Sequence, residues 1–201
     1  AVHGGFSRYA VDDQWHIPHF EKMGYDNGQL ISLYAQAFKE RPLALYKETV
    51  DKTIAFFQEN LCSPEGGFYA ALDADSLDQN ENLIEGAYYV WKLEEIKKLF
   101  PKDHSLISAY YSINDDGYWE DGNYVLRRMQ IDEDFAKLHK LSVEELKSSV
   151  LTWNSTLLKE RNKRSAPRLD DKIICSWNAL LTSGLLEAYT SFRNSSHLNL
   201  A

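Results

Sequence analysis

Two Gly-Gly-Phe turns, at Gly4-Gly5-Phe6 and Gly66-Gly67-Phe68, constrain this chain more than any other feature. They stand 62 residues apart, and Asp13 and Asp75 are separated by the same interval. Each copy runs from the turn through an aromatic and a short extended stretch to an acid at the same offset, next to helical sequence. Self-similarity at a fixed period marks a repeat architecture, in which one supersecondary unit recurs. The first copy opens a segment, Gly4 to Asn27, with four acids, two His, two basic residues, one Trp and two Tyr. A core element would space its apolar residues by 2 or 3.6, and this segment does neither. Its irregular mixture suits a loop that lines a site and runs into a helix.

Between these turns the sequence is helical. A helix from about Tyr25 to Glu40 carries Leu30, Leu33, Tyr34, Ala37 and Phe38 on one face and ends at Arg41-Pro42. The next repeats the pattern with Tyr46, Val50, Ile54, Phe57 and Leu61, giving an antiparallel hairpin. Gly67 to Leu72 and Ala87 to Trp91 read as extended, with a loop from Asp73 to Glu85 between them. Short helices follow around Leu93–Phe100 and Leu106–Tyr111, and a short strand is expected at Tyr124 to Arg127. Ser142 with Glu145 forms a capping box, ahead of a buried stripe of Val143, Leu146, Val150, Trp153 and Leu157. The last helix, about Ser176 to Phe192, buries Leu180, Leu181, Leu185, Ala188 and Tyr189. Successive helix pairs with motif-bearing connectors predict a mainly α fold, part of an α/α toroid with short β-hairpins in its connectors.

Composition narrows the partners. The net charge of −8 comes without an acidic block, and no basic stripe exists to neutralise phosphates, which excludes nucleic acid. The one basic cluster, Lys159 to Arg164, reads as a solvated helix end. No apolar run approaches a membrane span, and no signal peptide opens the chain. Cys62 and Cys175 are too few for a disulfide framework and too isolated for zinc, so two free thiols in a reducing cytoplasm are expected. The chain opens without Met inside a motif, as a fragment would, and a cut toroid exposes apolar faces that favour self-association.

Three connectors carry the candidate chemistry: Asp12 to Asn27, Asp73 to Glu85, and Asp170 to Asn178. In a toroid, connectors at equivalent ends of successive hairpins converge, so Asp12, Asp13, Asp73, Asp75, Asp170 and Asp171 offer carboxylate pairs for glycoside hydrolysis. A turn or helix cap is the competing role for each single Asp. His19, placed just before a helix expected from Phe20, would sit near a helix N-terminus, which disfavours its cation and suits a neutral base. Trp15, Tyr25, Tyr69, Tyr88 and Trp177 offer faces for stacking on sugar rings. Glu21, Asp26, Asn27, Glu85, Lys172 and Asn178 complete a substrate-binding set for hydroxyl groups. Glu21 and Lys22 also read as a surface pair, and Asp171 with Lys172 as a buried network closing the toroid. No metal-ligand spacing is present, and no cofactor is invoked.

The Gly-Gly-Phe-x-Arg-Tyr start and His19-Phe20-Glu21-Lys22-Met23-Gly24-Tyr25-Asp26-Asn27 resemble one family. The resemblance continues through Asp73-Ala74-Asp75-Ser76, Glu85-Gly86-Ala87-Tyr88-Tyr89-Val90-Trp91, Asp170-Asp171-Lys172-Ile173 and Trp177-Asn178. These motifs are similar to the thioredoxin-domain-containing proteins related to spermatogenesis-associated protein and bacterial YyaL. Gly24 stands where that family usually has Leu, and Ala179 where it has Gly. The resemblance implies that residues 1–201 are part of a single toroid domain like the N-acylglucosamine 2-epimerase and six-hairpin glycosidase folds. A thioredoxin-like domain would precede it, and both that domain and the remainder of the toroid lie outside this sequence. Two functions follow as expectations. One is binding of a saccharide or polyol with epimerase- or glycosidase-like action, and the alternative is a non-catalytic scaffold that binds clients for the redox domain.

Overall fold

Glycine turns and two-residue strand pairings alternate with long helices in this computed structural model, which describes residues 2–201. A hairpin of β1 (Tyr9–Ala10) and β2 (Pro18–His19) leads to β3 (Lys22–Met23), then α1 (Gly24–Glu40) and α2 (Ala44–Asn60). β4 (Ala71–Leu72), β5 (Asp75–Leu77), β6 (Leu83–Glu85) and β7 (Trp91–Lys92) follow, then α3 (Leu93–Leu99) and α4 (His104–Tyr110). After β8 (Asn123–Tyr124) come α5 (Asp132–Leu138), α6 (Val143–Arg161), β9 (Leu169–Asp170), α7 (Cys175–Phe192) and α8 (Ser195–Leu200). The fold is mainly α with short strands in the connectors, as the periodicity predicts. Among the described residues no helix is long and apolar enough to cross a membrane.

Two compact units emerge. One, here the sheet unit, comprises His3–Tyr9, His19–Asp75 and Pro167–Ala201. It is organised by an antiparallel sheet in the order β3-β4-β9, with Lys22 opposite Leu72 and Ala71 opposite Asp170. Helices α1 and α7 both leave this sheet, so they run side by side in the same direction. Ser191 Oγ donates to the Ala35 carbonyl at 2.9 Å, and Lys39 Nζ reaches Thr190 Oγ1 at 2.8 Å further along the pair.

Small residues set the contact between these helices. A Cβ on Gly184 would lie 2.4 Å from the Gly28 carbonyl oxygen, and one on Gly28 would lie 2.8 Å from the Leu181 nitrogen. This corrects the expected face of α1. The helix buries Gly24, Asn27, Gly28, Ile31 and Ala35 instead of the stripe through Leu30 and Leu33, and Leu33 is exposed. The larger apolar residues are displaced because backbone-to-backbone approach leaves no room for them. On α2 the expected residues Val50, Ile54 and Phe57 are buried, with Leu61 just beyond the helix end.

The other unit, here the tryptophan unit, comprises Ala10–Pro18 and Ser76–Ala166, with Val2 packed on its core. β7 pairs with β8, Trp91 opposite Tyr124, and α3 to α6 enclose Trp91, Ile107, Tyr110 and Trp153. The expected capping box closes the start of α6. Ser142 Oγ accepts from Glu145 N at 3.1 Å, and Glu145 Oε2 accepts from Ser142 N at 2.8 Å. Two expectations need correction here. The 73–85 connector is not an open loop but carries β5 and β6, with Asp78 Oδ1 accepting from Asn80 N and Asn82 N at 2.8 Å each. The 159–164 cluster is not wholly solvated. Lys159 and Lys163 are exposed, but Arg161 is buried and Arg164 lies over the Trp91 ring at 4.1 Å. The aromatic 85–91 segment supplies ring faces and carbonyls that draw both guanidinium groups inward.

The glycine contact gives a direct test. Ala is worth about 1 kcal/mol more than Gly in a helix interior, yet Gly184→Ala should lower stability by about 2 kcal/mol because α1 and α7 must separate. Urea unfolding of the two chains measures the difference.

Candidate functional site

The two Gly-Gly-Phe turns are held by matching asparagines. Asn27 Oδ1 accepts from Phe6 N at 2.6 Å, while its Nδ2 donates to the carbonyls of Phe6 (3.1 Å) and Met23 (2.9 Å). Asn178 repeats the arrangement: Oδ1 accepts from Phe68 N at 2.7 Å, and Nδ2 donates to Phe68 (3.0 Å) and Ile174 (3.1 Å). Each Asn is the fourth residue of its helix, and each also bonds the carbonyl four residues back. The glycines make the fit possible, since Gly5 and Gly67 have φ of 71° and 78°. A Cβ on Gly67 would also crowd Asn178 Oδ1 at 3.3 Å. Asn27 was expected to hold substrate hydroxyls; it is fully buried, and its amide is spent on backbone. Asn178 is partly exposed but spends its amide in the same way.

Beside the first turn, polar side chains gather where β3 enters α1. Glu21 Oε2 lies 3.2 Å from Arg8 Nη1 and 3.7 Å from His19 Nε2. The His19 ring stacks on Tyr9, centroids 4.7 Å apart and planes inclined 18°. Tyr25, and after it Glu21, hold the Arg8 guanidinium protonated more firmly than usual. Asp26 completes the group. Burial pushes its carboxyl above the ordinary carboxylate range, against the opposing pull of Arg8 and the Tyr25 hydroxyl. Its Oδ2 is buried without a hydrogen-bond partner. His19 is not at a helix N-terminus, as the sequence led us to expect: it lies in β2, and α1 begins only at Gly24. Lys22 also departs from its expected surface pairing. It is buried, donates to the carbonyls of Gly4 (2.7 Å) and Gly5 (2.9 Å), and covers the Phe56 ring at 4.7 Å. Alternation along β3 turns it away from Glu21 and under the glycine turn.

The pairing of β4 with β9 brings Asp73, at the start of the second connector, beside the third connector. Asp73 Oδ1 accepts from Ala74 N at 2.8 Å, and Oδ2 lies 3.2 Å from Arg168 Nη2, so one role of Asp73 is to fix its own turn. Asp75 is half-buried at the start of β5. Trp177 meets Tyr25 edge to face at 4.7 Å. A crevice beside them, lined by Gly24, Tyr69, Trp177 and Asn178, is too narrow for a water molecule. Asp171 and Lys172 do not form the expected buried network. Both are exposed, and Lys172 Nζ pairs with Asp170 at 3.0 Å, holding the Asp170 carboxyl below its usual range. They are the first two residues past the end of β9, which gives the chain no length to turn them under cover.

Asp12, Asp13, Trp15 and Glu85 belong to the tryptophan unit. Asp12 is the hub of the hairpin tip, accepting from Gln14 N at 2.8 Å, His16 N at 3.1 Å and Ile17 N at 2.5 Å. Those amides, Ile17 first, hold its carboxyl below the usual range. This is the turn-capping role and leaves little acceptor capacity for a substrate. Asp13 is exposed, Trp15 is 84% exposed at a φ of 56°, and Glu85 ends β6 half-buried. Sequence reasoning missed Arg8 and Tyr9 as site residues, although a lone cation and ring in an acid-rich motif were the available signal. Among the described residues no three His, Cys, Asp or Glu side chains cluster as metal ligands.

The site thus defined belongs to a class of mainly helical proteins with polar strand-to-helix connectors. No family profile matches the chain. An uncharacterised protein of Caenorhabditis elegans is 36% identical over 220 aligned positions, covering all of this chain and 30% of that protein. Human spermatogenesis-associated protein 20 is 33% identical over 200 positions, 90% of this chain and 25% of its own length. The mouse protein of that name is 32% identical over 201 positions, with the same coverage of each. The chain is homologous to spermatogenesis-associated protein 20 over most of its length, as its motifs implied. It spans 25% to 30% of the length of these curated relatives. Among solved structures, a D-mannose isomerase aligns with 98% of this chain and 44% of its own, at 16% identity and a TM-score of 0.34. The cellobiose 2-epimerase of Spirochaeta thermophila aligns with 100% and 76%, at 15% identity and 0.31. Neither likeness is near enough to carry chemistry across.

Two measurements follow from this geometry. Asn178→Ala leaves the Phe68 N–H and carbonyl unpaired and should cost about 3 kcal/mol in urea unfolding, with Asn178→Asp costing less. The second concerns pH. An acid whose proton is held more tightly in the folded state lowers stability as pH rises through its titration range. Asp26→Asn should therefore be more stable than the parent at neutral pH, and the gain should vanish below about pH 3, where both side chains are neutral.

Proposed function

We propose that the sheet-end of α1 and α7 binds a saccharide or similar polyol and, within the longer protein, acts on it by proton transfer. The observation that carries this reading is the Arg8, His19, Glu21, Tyr25 and Asp26 cluster. In it the Glu21 carboxylate is paired with the Arg8 cation, while Asp26 keeps a buried, unpaired oxygen and a raised proton affinity. A carboxyl group that burial keeps protonated more readily than usual suits the acid role. His19, held flat against Tyr9, is the base of an epimerase-like transfer, and Asp26 is the acid. Tyr25 and Trp177 offer ring faces to a sugar, with Glu21 and Arg8 placed for its hydroxyls. Asp73 and Asp75 are the carboxylates a hydrolase version would use.

A second reading has its own support. Asn27, Asn178, Lys22 and Asp12 all spend their polar groups on backbone, which favours a non-catalytic scaffold serving a thioredoxin-like domain elsewhere in the longer protein. A saccharide panel titrated calorimetrically against the longer protein separates the two. The enzymatic reading expects at least one ligand whose affinity falls about tenfold or more in both His19→Ala and Asp26→Asn. No binding, or binding indifferent to both changes, refutes it. Disulfide reduction that is unaltered in the same variants then favours the scaffold.

A further inference from the structure

The Glu85-Gly86-Ala87-Tyr88-Tyr89-Val90-Trp91 motif lies in the tryptophan unit, outside the site described above. Its rings pack on two arginines from the end of α6 and the turn beyond it. Both terminal nitrogens of Arg164 are partnered. Its Nη1 donates to the carbonyls of Ala87 (3.2 Å), Tyr88 (3.2 Å) and Val90 (2.6 Å), and its Nη2 to Glu95 (3.1 Å). Arg161 differs. Its Cζ lies 4.8 Å from the Tyr88 ring centre and 5.8 Å from that of Tyr89, and the residue is 7% exposed. Its Nε is buried without a hydrogen-bond partner, and no carboxylate among the described residues pairs with it.

A guanidinium cannot shed its charge, and a buried charge left unpaired is strongly disfavoured. The two rings offset part of that cost through cation–π attraction, but a ring face gives nothing to the N–H edge. The neighbouring hydroxyls do not supply the missing anion. Tyr88 donates its own proton to Asn162 Oδ1 at 3.0 Å, and burial pushes the Tyr89 hydroxyl above its ordinary range, so it stays neutral. Tyr88 and Tyr89 meet edge to face at 5.1 Å and 88°, which fixes the two rings around the cation. The cation is therefore held in place, with its Nε donor buried and unused.

We infer that Arg161 is the receptor for an oxyanion, a carboxylate or phosphate group, that accepts hydrogen bonds from its N–H edge. The planar fork of donors matches both groups in two-point geometry. The same chemistry can come from a free small anion or from an acidic side chain elsewhere in the longer protein. On a chain of formal net charge −8 there is no general attraction for anions, so a response at Arg161 reports a local site.

The arginine Nε–Hε resonances of this chain provide the test, with inorganic phosphate and then acetate titrated at ionic strength held constant with chloride. The expected result is a saturable shift of the Arg161 resonance and a rise of about 5 °C in the unfolding midpoint near saturation. Arg161→Met should abolish both, and Arg161→Lys, which keeps charge without the fork, should weaken the response about tenfold. If Arg161→Met does not fold, the Lys comparison still decides. In the longer protein a free-anion site responds to phosphate, whereas a site filled by its own carboxylate shows an Arg161 resonance already shifted and silent. An unshifted resonance that ignores both anions in both proteins, or a response that survives in Arg161→Met, overturns the inference.

Discussion

The side-chain amides of Asn27 and Asn178 fix where the two Gly-Gly-Phe turns sit, and the polar end of the sheet unit depends on them. An asparagine amide presents an acceptor and donors with the spacing of a peptide group, so it can close on the N–H and carbonyl of one residue at once. Phe6 and Phe68 are gripped in that way, and the remaining amide hydrogen ties each Asn to its own helix. The turn must bring its backbone within reach, which only the positive-φ glycines allow. The 62-residue interval in the sequence is therefore the trace of one local interaction used twice.

With both turns anchored on helix starts, the remaining geometry follows. The chain leaving the first turn reaches β3 after the β1-β2 hairpin, the chain leaving the second forms β4, and β9 adds to β4 on its other edge. Helices launched from β3 and β9 are parallel, and Gly28 and Gly184 let them touch through backbone atoms. Lys22 closes the underside by donating to Gly4 and Gly5. The groups not consumed by this framework are the ones with chemical potential: His19, Glu21, Asp26, and the rings of Tyr25 and Trp177. Polar residues bonded to backbone and polar residues paired with other side chains alternate within a few positions of one another, which is why the segment shows no simple period.

Helices were legible in the sequence wherever an apolar stripe met a backbone signal. Ser142 with Glu145 marked α6, Pro42 and Pro64 bounded α2, and Pro101 followed α3. The face of α1 was not legible, because a stripe of Asn27, Gly28, Ile31 and Ala35 carries little hydrophobic signal and gains its meaning only against Gly184 of α7. The sheet joins Lys22–Met23, Ala71–Leu72 and Leu169–Asp170, whereas Asp12, Asp13 and Glu85 of the expected connectors belong to the tryptophan unit. The roles within the connectors were not foreseen. Asp12, Asn27 and Asn178 looked like ligand-binding groups because sequence shows a polar side chain without showing the backbone amide that occupies it. Arg161 and Arg164 looked solvated for the converse reason, since the rings that cover them lie some 70 residues away in the chain.

Native-state hydrogen exchange at the Phe6 and Phe68 amides tests the central claim most directly. Both lie in loops flanked by glycine, where amides ordinarily exchange through small local openings. If the asparagine amides anchor these turns, both should exchange as slowly as amides within α1 and α7. Asn27→Ala should then release Phe6 while leaving Phe68 protected. Phe6 and Phe68 exchanging as fast as the exposed loop amides around Asp115 in the unmodified chain would contradict the account.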